Sequence, residues 1–109
     1  MTKVLKIFLD DERTSRDQWI TVRTVQQAID LIEGHDGNYM ISLDHDLGGH
    51  FTSREIIFWM IENNKHPIAA DSHSANPVGR AWLEAALQYD FPQPIPPIPF
   101  KDKPEWIVY

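Results

Sequence analysis

Three short polar clusters carry the chemistry that this chain can do. Asp10-Asp11-Glu12-Arg13, Asp44-His45-Asp46 and His73-Ser74-Ala75-Asn76-Pro77-Val78-Gly79-Arg80 each follow an apolar run. Adjacent carboxylates repel one another and need a cation, an arginine or solvent to offset the charge. Asp10, Asp11 and Asp44 are oxygen donors suited to Mg²⁺ or Mn²⁺, hard cations that take carboxylate, water and phosphate. With Asp44 as a metal ligand or a nucleophile, His45, Asp46 and His73 supply candidates for acid–base work near neutral pH. The third cluster reads as an anion site at a helix start. Ser74 offers a hydroxyl, Asn76 an amide, Arg80 a planar fork, and Gly79 room for a ligand. Arg13 is a further phosphate-binding candidate.

Each cluster also has a purely structural reading. Asp11 could cap a turn, His45 could hold a backbone carbonyl, and Asp46 could cap the Gly48-Gly49 turn. Asn76 could be a helix cap and Arg80 a solvated charge. Capping accounts for Asn76 in part, but not for His73 and Ser74 placed just before it. Metal-assisted phosphoester chemistry needs an acidic metal rim and a phosphate-binding wall, and the clusters supply both. His50, after Gly49, lies within reach of them; His35 and His66 fall in turns and read as surface residues.

The elements that must position these groups follow from periodicity and caps. Val4–Leu9 is a mostly buried strand, and Trp19–Arg23 an alternating one. The nine or so residues between them leave room for a turn or one helical turn. Thr24 and Gln27 form a capping box, with Val25, Ala28, Ile29 and Ile32 at helical spacing and Gly34 as the stop. Tyr39–Leu43 is a third strand. Thr52 and Glu55 repeat the capping pattern for a helix to about Asn63, with Ile56, Ile57, Met60 and Ile61 inward. Ile68–Ala70 is a weaker strand running toward Ser72. Asn76 and Pro77 open a last helix, with Val78, Ala81, Trp82 and Ala85 inward, ending near Tyr89.

The tail differs in character. Six of the eight prolines lie between Pro92 and Pro104. That stretch predicts an extended strap packing Ile95, Ile98 and Phe100 on the body, with Trp106–Tyr109 as a last strand or docked terminus. Strands alternating with helices predict an α/β fold, a parallel sheet flanked by helices with its ligand site at the carboxyl ends of the strands.

Composition narrows the class. The 109 residues, 42% hydrophobic and without cysteine, suit one domain spanning residues 1–109 and exclude a disulfide framework or a thiolate zinc site. The start of the chain lacks the longer apolar stretch of an export signal, and no segment has the roughly 20 apolar residues that span a bilayer. A cytoplasmic protein without a membrane partner is expected. The net charge of −6 opposes nonspecific binding of duplex nucleic acid. Without Asp10, Asp11, Glu12, Asp44 and Asp46, eleven acids remain against ten bases. The acidity is therefore concentrated at two strand ends, where a dication could offset it and hold a small phosphorylated nucleotide or an RNA end.

The motifs Leu9-Asp10-Asp11-Glu12-Arg13, Ser42-Leu43-Asp44-His45-Asp46-Leu47-Gly48 and His73 to Arg80 resemble the cyclic-phosphate processing receiver domain. That family is a divergent branch of the response-regulator receivers. The likeness runs from about Lys6 to Arg80. It implies a flavodoxin-like parallel sheet with strand order 2-1-3-4-5 and processing of cyclic phosphates, such as 2′,3′-cyclic phosphate RNA ends or cyclic nucleotides. In ordinary receivers a pair like Asp10-Asp11 binds Mg²⁺, an aspartate like Asp44 accepts phosphate, and a hydroxyl like that of Ser74 contacts the phosphoryl group. This chain departs from them. No lysine follows a fifth strand, Lys101 and Lys103 lying instead in the tail, and the helix after the first strand is reduced to a turn or missing. The expected function is metal-dependent hydrolysis of a cyclic phosphate or phosphodiester. The alternatives are a receiver that binds or senses a phosphorylated nucleotide without turnover and, more weakly, a phospho-acceptor at Asp44.

Overall fold

The computed structural model describes residues 3–16 and 18–107. Four parallel strands form the sheet: β1 (Leu5–Leu9), β3 (Ile20–Val22), β4 (Tyr39–Leu43) and β5 (Ala69–Ser72), in the spatial order β3-β1-β4-β5. This matches the first four places of the expected order; no fifth strand joins the sheet among the described residues. The short β2 (Thr14–Ser15) instead pairs antiparallel with β6 (Trp106–Ile107). The segment expected to be a turn or a helical turn is thus one half of a ribbon made with the chain's last described residues. Val108 and Tyr109 lie outside the described residues.

Alternation along the strands divides the molecule. Ile7, Leu9, Ile41, Leu43 and Ala70 face a core shared with all three helices, α1 (Val25–Glu33), α2 (Arg54–Glu62) and α3 (Pro77–Tyr89). Phe8, Met40 and Ala69 face the other way and cluster with Trp19 and Ile98. Burying Phe8 or Ile98 stabilises by about 1.5–3 kcal/mol each, on a face that carries no α-helix. Between Pro92 and Pro99 the chain adopts no regular element. Its Pro96 carbonyl accepts from Ala70 N–H at 3.0 Å, and Ile95 N–H donates to Leu87 at 2.9 Å. Phe100, expected to pack, is 92% exposed, because the following 3₁₀ turn (Phe100–Asp102) directs it away from the body.

The caps explain where the helices begin and end. Thr24 Oγ1 accepts from Gln27 N–H at 3.1 Å, and the Gln27 side chain accepts from Arg23 N–H at 2.7 Å. The second helix starts one residue later than its capping pattern predicts. Thr52 is held by a bridge to Asp46 across the Gly48-Gly49 loop, so Ser53 is the cap residue, and its side chain makes no capping bond. Asn64, at φ 54°, reverses the chain after α2, with Lys65 N–H bonded to the Met60 carbonyl at 2.9 Å. Asn76 caps α3 by accepting from Val78 and Gly79 N–H.

Gly79 lets α3 lie directly on the His45 ring. A Cβ there would stand 2.3 Å from His45 Cγ. Gly79→Ala must therefore displace either the helix or the imidazole, although alanine is the better helix former. We expect a loss of about 1–3 kcal/mol in urea unfolding. An unchanged or raised midpoint would show that the contact is not tight.

Candidate functional site

Strand register builds the site. Leu9 pairs with Val22 and with Leu43, and Leu43 pairs with Ser72. The next residues, Asp10, Arg23, Asp44 and His73, therefore stand level at the carboxyl edge. Backbone bonds fix that level: Asp10 N–H to Val22, Asp44 N–H to Leu9 and His73 N–H to Leu43, at 2.9–3.1 Å. Asp10, Asp44 and His73 fall on the parity of Phe8 and Ser42, so their side chains leave the sheet on one side. One carboxylate oxygen from each of Asp10, Asp11 and Asp44 lies within 4.8 Å of the others. They line a cavity of about 620 Å³ together with Arg13, Asp46, Ser74 and Asn76.

Asp10 is fully buried and fully bonded. One oxygen accepts Glu12 and Arg13 N–H at 2.8 and 2.7 Å; the other accepts Arg13 Nε at 2.7 Å and His73 Nε2 at 2.9 Å. Burial alone would raise its pKa. The bonds from His73 and from the Arg13 and Glu12 amides, with the Arg13 charge, more than reverse that and hold it well below the usual carboxylate range. Asp44 is the opposite case. Its carboxylate accepts no hydrogen bond among the described residues, and Arg13 Nη2 stands 3.5 Å away. Burial first, then the Asp10 charge and more weakly that of Asp11, raise its pKa against the opposing charges of His73 and Arg13. Asp46, 60% exposed, is lowered chiefly by its bond from His45 and further by Asn76.

The two histidines are brought to the edge but do not line the acidic cavity. His73 stacks on Phe8 at a ring separation of 4.2 Å, with Trp106 at 5.4 Å. Its Nε2 bonds Asp10, and its Nδ1 bonds the Ser42 hydroxyl at 2.7 Å. His45 lies beneath α3. Arg54 Nε donates to its Nε2 at 2.8 Å, which assigns the ring proton to Nδ1, bonded to Asp46 at 2.7 Å. Gly79 therefore makes room for His45 and not for a ligand. Both imidazoles hold other groups in place.

The anion wall differs from expectation as well. The first-turn amides of Val78 and Gly79 are consumed by Asn76, so the helix start is capped rather than open. Arg80 pairs with Glu84 at 2.9 Å on the outer face of α3 and is not part of the acidic cavity. Ser74 remains: its buried hydroxyl oxygen accepts from Asn76 N–H at 3.1 Å, which leaves its O–H free to donate. The Asn76 amide donates to Asp46 at 3.2 Å. His50 is exposed beside the loop and does not line the cavity. Lys103 bonds Asp71 at 2.8 Å, away from Asp44.

Sequence reasoning missed Arg23. Its guanidinium ties the Asp10 carbonyl at 3.1 Å to the Arg13 carbonyl and the Thr14 hydroxyl, bracing the loop that carries the acidic pair. Its position directly after a strand, level with Asp10, was the available signal. Ser42 and Arg54, which orient the two histidines, were missed as well.

A parallel sheet in this order, with acidic groups gathered at the carboxyl ends of its central strands, defines a receiver-like α/β protein. The family described as the cyclic-phosphate processing receiver domain matches residues 5–89, and the chain belongs to that family. No curated protein and no solved structure matches it. No helix among the described residues is long and apolar enough to cross a membrane.

The two aspartates predict opposite effects on stability. Asp10 is lowered in the fold, so its contribution is present above the ordinary value of 3.8 and fades as pH falls below it. Asp10→Asn should cost about 3–5 kcal/mol at neutral pH, since it breaks a buried charged network. Asp44 is raised, so its ionisation opposes folding above that value. Asp44→Asn should raise the melting temperature at pH 7 without divalent cations, and the gain should vanish at acid pH. Thermal melts across pH check both; a loss of stability in Asp44→Asn at pH 7 would contradict the assigned charge balance.

Proposed function

We propose that the protein hydrolyses a cyclic phosphate, such as a 2′,3′-cyclic phosphate RNA end or a cyclic nucleotide, with a divalent cation held by Asp11 and Asp44 and by Asp10, which would yield one of its four hydrogen bonds to it. The observation that carries the reading is the meeting of these three carboxylates at one cavity, with Asp44 left short of compensation. Their oxygen donors fit Mg²⁺ or Mn²⁺. Arg13 is the one arginine or lysine bonded to these carboxylates among the described residues, and three carboxylates outweigh it, so a phosphate anion would otherwise meet net repulsion there. When bound, the cation would neutralise phosphate charge and lower the cost of forming hydroxide from water.

The chain's own groups complete the reaction. Ser74 O–H donates to a phosphate oxygen, and Arg13, poised between Asp10 and Asp44, turns its fork toward the same group. Asp44, raised by burial, accepts the proton of the attacking water. A new P–O bond forms to that water, the ring P–O bond breaks, and the proton passes to the departing ribose oxygen. The product is a ring-opened phosphomonoester. His73 and His45 act as positioning residues, for Asp10 and Asp46 respectively. Asn76 holds Asp46 from the other side, and Arg80 contributes no contact to the phosphate.

A second reading is binding without turnover. It is favoured by the complete engagement of both imidazoles, which leaves no free histidine for proton transfer. A product assay separates the two. The protein is incubated with a cyclic-phosphate oligoribonucleotide in Mg²⁺, in Mn²⁺ and in chelator. Ring opening that requires the metal and is lost in Asp44→Ala supports hydrolysis; tight binding with no product in any condition supports the binding module. Asp11 makes no hydrogen bond among the described residues, so Asp11→Asn should keep the fold. It should weaken Mg²⁺ binding at least about tenfold by calorimetry, the order of one lost favourable ligand.

A further inference from the structure

A second cavity, of about 410 Å³, lies between α1 and α2 beside the acidic one. That volume is within the range of about 300–1,000 Å³ typical of small-molecule sites. Its walls are chiefly apolar, from Val25, Ile29, Leu47, Phe51 and Trp59. Phe51 and Thr52 line both cavities, so the two are contiguous. Phe51 follows the Gly48-Gly49 turn and is 70% exposed. The loop holds it there through Leu47 N–H to Phe51 and Phe51 N–H to Gly48, both at 3.0 Å. An aromatic face presented at the junction of an acidic rim and an apolar slot calls for a ligand that is charged at one end and flat at the other.

Of the two charged groups that line the slot, Arg23 and Glu55, the one left free is an acceptor. Glu55 makes no hydrogen bond or ion pair among the described residues. Gln26 gives one amide N–H to Asp30 at 2.9 Å and keeps its carbonyl oxygen and second N–H free, while the Thr24 and Thr52 hydroxyls accept backbone N–H groups. Arg23, the cationic residue of this cavity, is committed to the Asp10–Thr14 loop.

We infer that this slot is the base subsite for a nucleotide whose phosphate lies at the acidic rim, and that it prefers bases carrying an exocyclic amino group. The inference rests on the phosphate-site reading above. Stacking on Phe51 supplies affinity for any base. The Glu55 carboxylate accepts from an amino edge, as carboxylates do from cytosine N4, and is repelled by a carbonyl edge. Cytosine is thus favoured over uracil at the same ring size.

Nucleoside 3′-phosphates, which have no ring to open, test this in MgCl₂ by amide and indole NMR titration. Cytidine 3′-phosphate should bind at least about fivefold tighter than ribose 3-phosphate, the lower end expected for one stacked base. It should shift Val25, Leu47, Phe51 and the Trp59 indole. Phe51→Ala should erase that advantage and leave ribose 3-phosphate binding unchanged. Glu55→Gln should erase the preference for cytidine over uridine 3′-phosphate. If cytidine 3′-phosphate binds no tighter than ribose 3-phosphate and shifts only the acidic cavity, the base subsite is overturned while the phosphate site stands. If neither phosphate binds, cytidine alone is titrated. Shifts confined to the slot then keep the subsite and sink the phosphate reading, whereas no shift sinks the subsite.

Discussion

Two carboxylates forced side by side at the ends of adjacent parallel strands are the constraint around which this molecule is organised. Leu9 and Leu43 are in register, so Asp10 and Asp44 cannot avoid each other without breaking the central ladder. The fold resolves the conflict asymmetrically. Asp10 receives four hydrogen bonds and the Arg13 charge and stays ionised deep in the structure. Asp44 receives only a longer contact with Arg13, and its charge is left to be offset from outside. A site that folds with one carboxylate satisfied and its neighbour uncompensated leaves that neighbour's oxygens with no hydrogen bonds of their own to give up.

Much of the remaining architecture serves the satisfied half. His73 can reach Asp10 because Phe8 stacks beneath the ring and Ser42 fixes its other nitrogen. Trp106 lies against both rings and under the Arg13 guanidinium, 5.8 Å from its centroid. It is held there by the β2–β6 ribbon, by Arg16 N–H to Glu105 at 2.8 Å and by the Trp19 indole to Asp102 at 2.9 Å. The ribbon and Ile98 cover the sheet face that carries no α-helix. The departure in fold and the wiring of the site therefore share one cause: the chain that covers Phe8 also encloses His73.

The sheet edge was legible from sequence because each apolar strand ends abruptly in polar residues, and parallel register does the rest. α1 and α3 were legible from their caps. The roles of His45, His73 and Arg80 were not. An imidazole's function depends on which nitrogen is spoken for, and the partners Ser42, Arg54 and Asp10 come from distant segments. Gly79 was read as space for a ligand because spacing cannot say that a ring from the preceding strand end already fills it. A fifth place in the parallel sheet was expected from resemblance; Trp106–Ile107 does form the strand read at the end of the chain, but it pairs with β2 instead. The proline-rich tail cannot donate a full ladder of hydrogen bonds, and its one backbone–backbone bond to β5 among the described residues, at Pro96, uses a carbonyl.

These assignments change what kind of chemistry the edge can support. With both imidazoles holding Asp10 and Asp46 in place, the open cavity offers carboxylates, the Ser74 and Thr52 hydroxyls, the Asn76 amide and one arginine. Burial raises the Asp44 carboxyl while hydrogen bonds lower Asp10 and Asp46, so of these three Asp44 is the readiest to take up a proton. Its lack of compensation then has two uses. On the proposed reading it would draw in a dication, and it would keep a proton acceptor beside the phosphate whose basicity would fall if Arg13 or a donor amide were moved closer. Stability given up at Asp44 is the counterpart of reactivity retained there, and the bonds lavished on Asp10 are what allow the fold to tolerate it.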